Sequence, residues 1–439
     1  MGRGTWAGGR WAGGRWAGGV TRARGRRTRW GRSVDTPRTH GGDDQRIRCR
    51  SPLWVRWIPV SIPRRPATAP DFLLSRATGS IRTQGTRTTF PDAFEAATAL
   101  RNGDVDLVVG AVPFDTSLRA ALVEPERVIT SEGPLEPPAF FRGREVAEQL
   151  EVADVTPLTT PQEHQANVAA ALRTIGRTTL EKVVLARAVD VTYAREFDPL
   201  LVAARMIDLS AACDGYAMDL GATGHSDDAG TMFMGSSPEM LIRRQGRTVT
   251  ALPLAGSAPT VPDPVENRRI GEALRGSTKD LREHRYVVDH YRRILGGVCS
   301  SLSIPDRPGL TETNEMWHLG TPVRGTLRDD GFSALDLALM LHPTPAVGGT
   351  PTDDALGIIN QIEHPRRFYA GFVGWCDSSG DGEYMVSLRG CEIGGQVARA
   401  WAGGGIVAWS SPGAEAAETT AKFQTALRAL NVPAAMRSV

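Results

Sequence analysis

Lysine is scarce in this sequence, and its three positions are the first candidates for chemistry. Of the 51 basic residues, only Lys182, Lys279 and Lys422 are lysines. Such a bias toward arginine is typical of a GC-rich genome, so a persisting lysine is a candidate for a task that arginine cannot perform. Arginine stays protonated, whereas burial lowers the pKa of a lysine amine. Lys182 begins the apolar segment KVVL, where burial would make it a usable general base.

Two predicted helices each carry a pair of carboxylates on one face. Asp280 and Glu283 are three residues apart, and so are Glu415 and Glu418 in the last predicted helix. Residues at this spacing are neighbours on a helix surface. Carboxylate oxygens without histidine or cysteine are a ligand set that suits Mg²⁺. A solvated charged face is the simpler interpretation of either pair taken alone.

Glu239 follows the short Gly/Pro turn GSSP at 235–238. A carboxylate held directly after a tight turn is fixed in position, and burial would raise its pKa enough to make it a general acid. An ordinary turn is the alternative. Arg389 ends a predicted strand and could bind a carboxylate through two parallel hydrogen bonds. His318 and His342 are isolated histidines, for which structural roles are the first expectation.

The glycine run at 403–405 fits the pattern G-x-G-x-x-A, a weak sign of dinucleotide binding. We reject that interpretation because Ser410, Ser411 and Pro412 interrupt the chain before a helix could start at the glycines. No βαβ unit surrounds the run either. The sequence instead predicts a loop whose backbone amides could hold a carboxylate.

The elements that must position these residues mix strands and helices without regular βαβ alternation. Apolar or alternating segments predict strands, and apolar residues at helical spacing predict helices. The predicted strands are 104–112, 181–191, 231–234, 239–243, 383–389 and 396–402. The predicted helices are 162–174, 198–212, 261–291 and 411–430. We therefore expect the α+β class, with large antiparallel β-sheets flanked by helices.

The composition is that of a globular protein. Hydrophobic residues make up 41% and charged residues 23% of the 439 residues, which excludes a wholly disordered or collagen-like chain. No apolar run approaches the length of a membrane span. The five cysteines are scattered and form no C-x-x-C pair, so we expect reduced thiols in a cytoplasmic protein.

Residues 1–65 differ from the rest of the chain. They contain 16 Arg and 3 Asp, a net charge of +13, so the remainder carries 2 − 13 = −11. The repeated WAGG and the arginine-rich stretch lack any periodicity, and we expect disorder. An RNA-binding tail, a targeting segment and translation upstream of the true start are the open interpretations, and we expect a dispensable extension. Residues 66–439 are predicted to form one catalytic domain, with a less characteristic part at 66–165 and the motifs at 166–432.

The ordered motifs resemble the chorismate-utilising enzymes, and most closely the isochorismate synthases. All three lysines fall inside these motifs, which cover roughly residues 180–425. The matching stretches are KVVLAR (182–187), GSSPE (235–239), PLAGS (253–257), STKDLREH (277–284), MWHLGTPVRG (316–325), LHPTPAV (341–347), YAGFVGWCD (369–377), GDGEYMVSLR (380–389), AGGGIV (402–407) and EAAETTAK (415–422).

The resemblance implies an Mg²⁺-dependent reaction on chorismate and a role for each matching residue. Lys182 would activate the water that attacks C2, Glu239 would protonate the departing C4 hydroxyl, and His318 matches an active-site histidine. Glu283 and Glu418 would hold Mg²⁺, with Glu415 and Asp280 in support. The implied substrate-binding residues are Gly256, Ser257, Ala346, Val347, Tyr369, Arg389, Gly403 and Lys422.

The choice within the family depends on single residues. Aminodeoxychorismate synthases carry a nucleophilic lysine where Ala255 stands, so that chemistry is absent here. Salicylate synthases generally have threonine where Ala346 stands, and alanine fits enzymes that stop at isochorismate. Ser257 replaces a usual threonine, and the loop 363–369 is one residue shorter than usual, which puts the role of Tyr369 in doubt.

Three alternatives remain: a salicylate synthase, a nucleic-acid binder that acts through the basic tail, and a catalytically inactive metal-binding relative. Isochorismate, the expected product, would feed siderophore or menaquinone biosynthesis. We expect a monomer that needs no glutaminase subunit and binds neither membrane nor nucleic acid.

Overall fold

The computed structural model describes residues 66, 68–143 and 148–439, and the predicted extension 1–65 lies outside them. Twenty strands and eight α-helices occur in this part of the chain. The strands are β1 Phe72–Arg76, β2 Gly79–Phe90, β3 Leu107–Val112, β4 Ala121–Ser131, β5 Val152–Pro157, β6 Lys182–Tyr193, β7 Gly215–Asp219, β8 Met232–Gly235, β9 Met240–Gln245, β10 Thr248–Leu252, β11 Leu254–Pro259, β12 Cys299–Ser303, β13 Gly309–Glu312, β14 Met316–Gly320, β15 Val323–Leu327, β16 Gly349–Thr350, β17 Phe372–Asp377, β18 Gly382–Val386, β19 Gly390–Gly394 and β20 Val397–Val407. The helices are α1 Ala93–Asn102, α2 Pro161–Ile175, α3 Leu200–Leu209, α4 Pro264–Gly276, α5 Thr278–Val298, α6 Ala334–Leu341, α7 Thr352–Ile362 and α8 Pro412–Ala429.

Seventeen strands form one continuous hydrogen-bonded sheet. Strand β6 pairs with β5, with the short β16 and, over eleven residues, with β20. From β20 the ladder continues through β19, β8, β7, β1, β2, β4 and β3 to β17, and then through β18, β9, β10 and β15 to β12. Every pair in this sheet is antiparallel, which confirms the predicted α+β class with large antiparallel sheets.

A second sheet of three strands, in the order β11-β14-β13, carries three of the predicted site residues, Gly256, Ser257 and His318. Ser257 on β11 pairs with His318 on β14. The β13–β14 hairpin turns at residues 313–315. Helix α5 lies against β11, so this small sheet connects the acidic face of α5 to the histidine.

The predicted helices 162–174, 198–212 and 411–430 correspond to α2, α3 and α8. The predicted helix 261–291 is instead two helices, α4 and α5, because the backbone is extended at Ser277 between them. Ser277 is the N-cap of α5, and its hydroxyl accepts a hydrogen bond from the backbone N–H of Asp280. Helix α8 begins at Pro412 after Ser411, as predicted, although the Ser411 side chain makes no capping hydrogen bond. Its first turn carries Glu415, where the helix dipole favours a negative charge.

The predicted loop at the glycine run is also wrong. The glycines at 403–405 do not form a loop, because β20 runs through them to Val407 and pairs with β6 along its whole length. Sequence propensity misses this strand because glycine weakens strands in general. In this strand the missing side chains leave room for the groups described below.

The apolar core extends along β6. Val183 and Leu185 belong to one cluster, while Val189 and Val191, farther along the strand, belong to another that contains residues of α3 and α8. The described cysteines Cys213, Cys299, Cys376 and Cys391 are free thiols. Within the described ranges, no helix is long and apolar enough to cross a membrane.

Candidate active site

One cavity, enclosing about 760 Å³ of space including part of its mouth, brings together most of the predicted site residues. Its walls come from both sheets, from α5 and from α8. Twelve of the fifteen predicted residues line it: Glu239, Gly256, Ser257, Glu283, His318, Ala346, Val347, Tyr369, Arg389, Gly403, Glu418 and Lys422. The other three do not line it: Lys182 pairs with Glu283, Asp280 packs beside Gly256, and Glu415 packs beside Gly404.

Glu239 is a buried carboxyl group positioned by the turn between β8 and β9. It is 2% exposed, and its backbone carbonyl accepts a hydrogen bond from the N–H of Val386 on the neighbouring β18. Its Oε1 has no hydrogen-bond partner. Burial raises the pKa of Glu239 to about 8, although the Leu254 backbone, Lys182 and Lys422 act in the opposite direction. The carboxyl group is therefore protonated at neutral pH and can donate a proton into the cavity.

Lys182 is fully buried at the start of β6, as its apolar surroundings in the sequence predict. Its Nζ lies 3.0 Å from Oε1 of Glu283, at an angle outside hydrogen-bond geometry. The amine therefore lies directly behind a carboxylate of the cavity wall. A shift of the Glu283 side chain would expose the amine to a molecule in the cavity.

Three carboxylates point at the glycines of β20, and each is paired with one of the three lysines. Lys182 pairs with Glu283 at 3.0 Å, Lys279 with Glu415 at 2.9 Å and Lys422 with Glu418 at 2.6 Å. A Cβ atom on Gly405 would overlap the Glu283 carboxylate, and a Cβ on Gly404 would lie 3.2 Å from Oε2 of Glu415. The glycines are thus required so that the carboxylates can approach the strand.

The two carboxylates of α8 have opposite pKa shifts. Burial and the neighbouring Glu418 raise the pKa of Glu415, against the opposing effect of Lys279. Burial would also raise the pKa of Glu418, but Lys422 and the Ser257 hydroxyl outweigh it and lower that pKa. Burial lowers the pKa of Lys422, but Glu418 and Glu283 outweigh it, so the net shift is upward. Glu418 is therefore the more acidic of the two carboxyl groups on this helix.

The donor chemistry of this cluster fits Mg²⁺, because its ligands would all be carboxylate oxygens. Glu283 and Glu418 line the cavity, while Glu415 lies beneath them. In the described part of the chain, no three histidine, cysteine, aspartate or glutamate side chains are placed to hold one ion in this arrangement of side chains. Asp280 contacts Gly256 and accepts a hydrogen bond from Ser277, and burial raises its pKa. Asp280 thus supports the cluster from outside the cavity.

Arg389 and His318 contact each other across the cavity wall. Nη2 of Arg389 lies 2.6 Å from Nε2 of His318, so this histidine nitrogen accepts the hydrogen bond. Burial and the adjacent Arg389 cation lower the pKa of His318 well below its usual value. The imidazole is therefore neutral, and in this arrangement it orients the arginine and cannot donate a proton from Nε2.

Lys422, Ser257 and Tyr369 are further predicted residues that line the cavity. Lys422 donates a hydrogen bond to the Gly403 carbonyl oxygen at 3.0 Å. The Ser257 hydroxyl donates to Oε1 of Glu418 at 2.8 Å, so serine keeps the contact that the usual threonine would make. Tyr369 does line the cavity despite its shortened loop, and its ring stacks on Trp401 with centroids 6.0 Å apart.

Arg366 is a cavity residue that sequence reasoning missed. Its guanidinium binds the Glu363 carboxylate through two nitrogens and donates to the backbone oxygens of Val184 and Val347. Glu363 also accepts a hydrogen bond from the N–H of Ala186. The available signal was the i, i+3 spacing of Glu363 and Arg366 in the shortened loop. This buried pair fixes the loops that carry Val347 and Tyr369.

The cavity and the residues directly behind it thus combine a buried acid, a buried amine and a set of carboxylates, an arrangement typical of an enzyme active site. A family model described as "Chorismate binding enzyme" matches residues 142–431. The chain belongs to this family, and the resemblance drawn from the sequence motifs is confirmed.

The similar proteins include several isochorismate synthases. The chain is 40% identical to isochorismate synthase DhbC of Bacillus subtilis over 328 residues, covering 74% of this chain and 81% of that protein. It is 34% identical to isochorismate synthase EntC of Escherichia coli, covering 73% and 80% of the two chains. Among solved structures, the menaquinone-specific isochorismate synthase MenF of Escherichia coli superposes with a TM-score of 0.69 at 27% identity, covering 83% and 89%.

Proposed function

We propose that this protein is an isochorismate synthase, which converts chorismate to isochorismate with Mg²⁺. The observation that carries the proposal is the pairing of a protonated carboxyl, Glu239, with a buried amine, Lys182, around a single cavity. An isomerisation that moves a hydroxyl from one ring carbon to another needs one acid and one base. Relatives at 34–40% identity that are named isochorismate synthases support the same reaction.

In the proposed reaction, Lys182 removes a proton from a water molecule as its oxygen bonds to C2 of the ring. The ring double bond shifts, and the bond between C4 and its hydroxyl oxygen breaks. Glu239 gives its proton to that hydroxyl, which leaves as water. One water is consumed and one is released, so the reaction is an isomerisation. The raised pKa of Glu239 suits this role, because an acid must be protonated at the working pH.

Glu283 and Glu418 are the residues that would hold Mg²⁺, with Glu415 and Asp280 supporting them. The ion would neutralise the substrate carboxylate and polarise it as a Lewis acid. Two of the lysines that pair with these carboxylates also have proposed roles of their own. Lys182 is the base, and Lys422 binds the substrate. Lys422 and Arg389 bind the substrate's carboxylates, and the glycines of β20 let the ring lie against the strand.

Ala346 lines the cavity beside Val347, and its small side chain supports a reaction that stops at isochorismate. In a salicylate synthase, the same site would go on to eliminate pyruvate. The cavity therefore supports isochorismate as the product, for a siderophore or a menaquinone route.

The test is the full-length protein with chorismate and Mg²⁺, with the products separated by chromatography. We expect isochorismate alone, the same final mixture from either side of the reaction, and loss of turnover with a chelator that added Mg²⁺ reverses. Lys182→Ala and Glu239→Gln should each lower kcat by about 10²–10⁴-fold. Glu266→Gln, at an exposed position of α4, is the matched control and should leave turnover unchanged. Salicylate and pyruvate as products, or no consumption of chorismate, would contradict the proposal.

A further inference from the structure

Arg389 is the buried cation at one end of the cavity, and its orientation is fixed by one hairpin. The residue is 9% exposed and has a left-handed backbone, with φ of 50°. Its Nη2 donates to His318, and its Nη1 donates to the Thr313 hydroxyl at 3.0 Å. That hydroxyl also donates to the Met316 carbonyl oxygen, so it cannot rotate away from the arginine.

Glu315, in the same hairpin turn, is the nearest carboxylate to this guanidinium. Its Oε2 lies 3.8 Å from Nη1 of Arg389, too far for a hydrogen bond but close enough to offset the positive charge. Two residues of α8 contact the carboxylate. The Thr425 hydroxyl donates to Oε2 at 2.8 Å, and Arg428 donates to Oε1 at 3.2 Å. The Glu315 side chain is 8% exposed, so water screens the interaction with Arg389 little.

We propose that Glu315 is a positioning residue for substrate binding, which holds the Arg389 guanidinium aimed at a substrate carboxylate without occupying its donors. The inference rests on the proposed function and adds a residue that its motifs do not assign. Arg389 has five N–H groups, of which Thr313 and His318 take one each. Because Glu315 stabilises the charge at a distance, the remaining N–H groups are available for a bidentate contact with a carboxylate.

The physical reason is the cost of burying a cation. Burial lowers the pKa of Arg389, and Glu315 is the first group that opposes this shift. Glu315 and Arg389 both line a second, adjacent cavity. Without the Glu315 carboxylate, the buried guanidinium would lose the nearest charge that offsets its own, and its orientation would be less well fixed. The substrate would then lose a preoriented partner, whereas the acid and the base on the other side of the cavity would stay in place.

The experiment measures KM and kcat for chorismate in Glu315→Gln, which keeps the size of the side chain and removes its charge. We expect KM to rise by about tenfold with kcat within about twofold, because a contact made equally in ground and transition states affects KM alone. Glu315→Asp, which keeps the charge, should recover most of the loss. Glu312→Gln is the matched control, since the carboxylate of this acid, in the same hairpin, accepts a hydrogen bond from Asn267 on α4.

A second variant, Arg428→Met, distinguishes positioning of Arg389 from anchoring of the β13–β14 hairpin to α8. Arg428 pairs with Glu315 from the opposite side, and its side chain is 46% exposed. If Glu315 acts through Arg389, KM in this variant stays within about twofold of the unmodified enzyme. An equal rise of KM in Arg428→Met and Glu315→Gln, or an unchanged KM in Glu315→Gln, would overturn the inference alone. An unmodified protein that leaves chorismate intact would overturn the inference together with the proposed function.

Discussion

At the scale of single residues, Glu239 combines a proposed catalytic role with a cost in stability. Its carboxyl is buried without a partner for Oε1, and its pKa lies at about 8 in the folded protein. In an unfolded chain the same group would ionise near its ordinary value of 4.5. The folded state therefore binds an extra proton over this pH range, and the free energy of unfolding falls as pH rises through it.

We predict that Glu239→Gln is more stable than the unmodified protein at pH 7 while it lacks activity. The neutral amide has no proton to gain on folding, so the stability increase should be on the order of 1–3 kcal/mol at pH 7 and should vanish below about pH 4.5. Urea unfolding at several pH values is the measurement. An equal or lower stability of the variant at pH 8 would show that the amide loses contacts that the acid makes.

The activity of the unmodified protein should follow the same ionisation. As pH rises through about 8, Glu239 loses its proton and kcat/KM for chorismate should fall. Because His318 is neutral throughout, it contributes no step to the profile between pH 6 and 9. A profile that stays flat to pH 9 would remove Glu239 from the role of acid.

The residue types of the site could be predicted from sequence, but their partners could not. The turn before Glu239 and the apolar segment after Lys182 predict burial, and both residues are buried. The pairing of Lys279 with Glu415 joins α5 to α8 across 136 positions of sequence. No spacing rule connects residues so far apart, so this pair and the pair of Lys182 with Glu283 appear only in the folded structure. Lys422 and Glu418, in contrast, are four residues apart on one helix, a spacing that predicts their contact.

At the scale of elements, the glycines of β20 accommodate the side chains that pack against this strand. Its three glycines weaken the strand on propensity grounds, and the sequence predicts a loop for this reason. Pairing with β6 over eleven residues offsets that weakness. The strand is thus maintained by its neighbours, and its missing side chains make room for Glu283, Glu415 and Tyr369.

We predict that Gly405→Ala abolishes activity, whereas Gly404→Ala reduces it only moderately. A Cβ atom at position 405 would overlap the Glu283 carboxylate and lie 3.0 Å from Cε of Lys182, displacing both groups. At position 404 the nearest atom is the end of the Glu415 side chain at 3.2 Å, which can move by a few tenths of an ångström. Steady-state kinetics and Mg²⁺ titration by calorimetry are the measurements. Gly357→Ala on α7, where a Cβ has nothing within 4 Å, is the control.

At the scale of the whole molecule, the site residues come from nearly the whole segment that the family model matches. Its residues run from Lys182 to Lys422, and the family model covers residues 142–431. The class of the fold and the positions of several strands follow from periodicity. The order of the strands in the sheet does not follow from periodicity. Strands that are adjacent in sequence, such as β8 and β9, have seven strands between them in the ladder.

We predict that deletion of residues 1–65 leaves kcat and KM for chorismate unchanged within about twofold. Every residue assigned to the site lies outside this stretch, and the family match starts well after it. The measurement compares the truncated and full-length proteins under the same conditions, with RNA binding at several salt concentrations as a second readout. A large fall in activity would assign the arginine-rich stretch a part in catalysis.

Strands β8 and β9 are joined by a short turn, but many strands separate them in the ladder, and this separation affects how the protein folds. Glu239 lies at the junction of two strands that are far apart in the ladder, so its final position depends on pairings of high sequence separation. Sheets made of such non-local pairings fold slowly, because loop closure must precede the contacts that reward it. Catalytic competence should therefore be among the last properties to appear during refolding, after most secondary structure has formed.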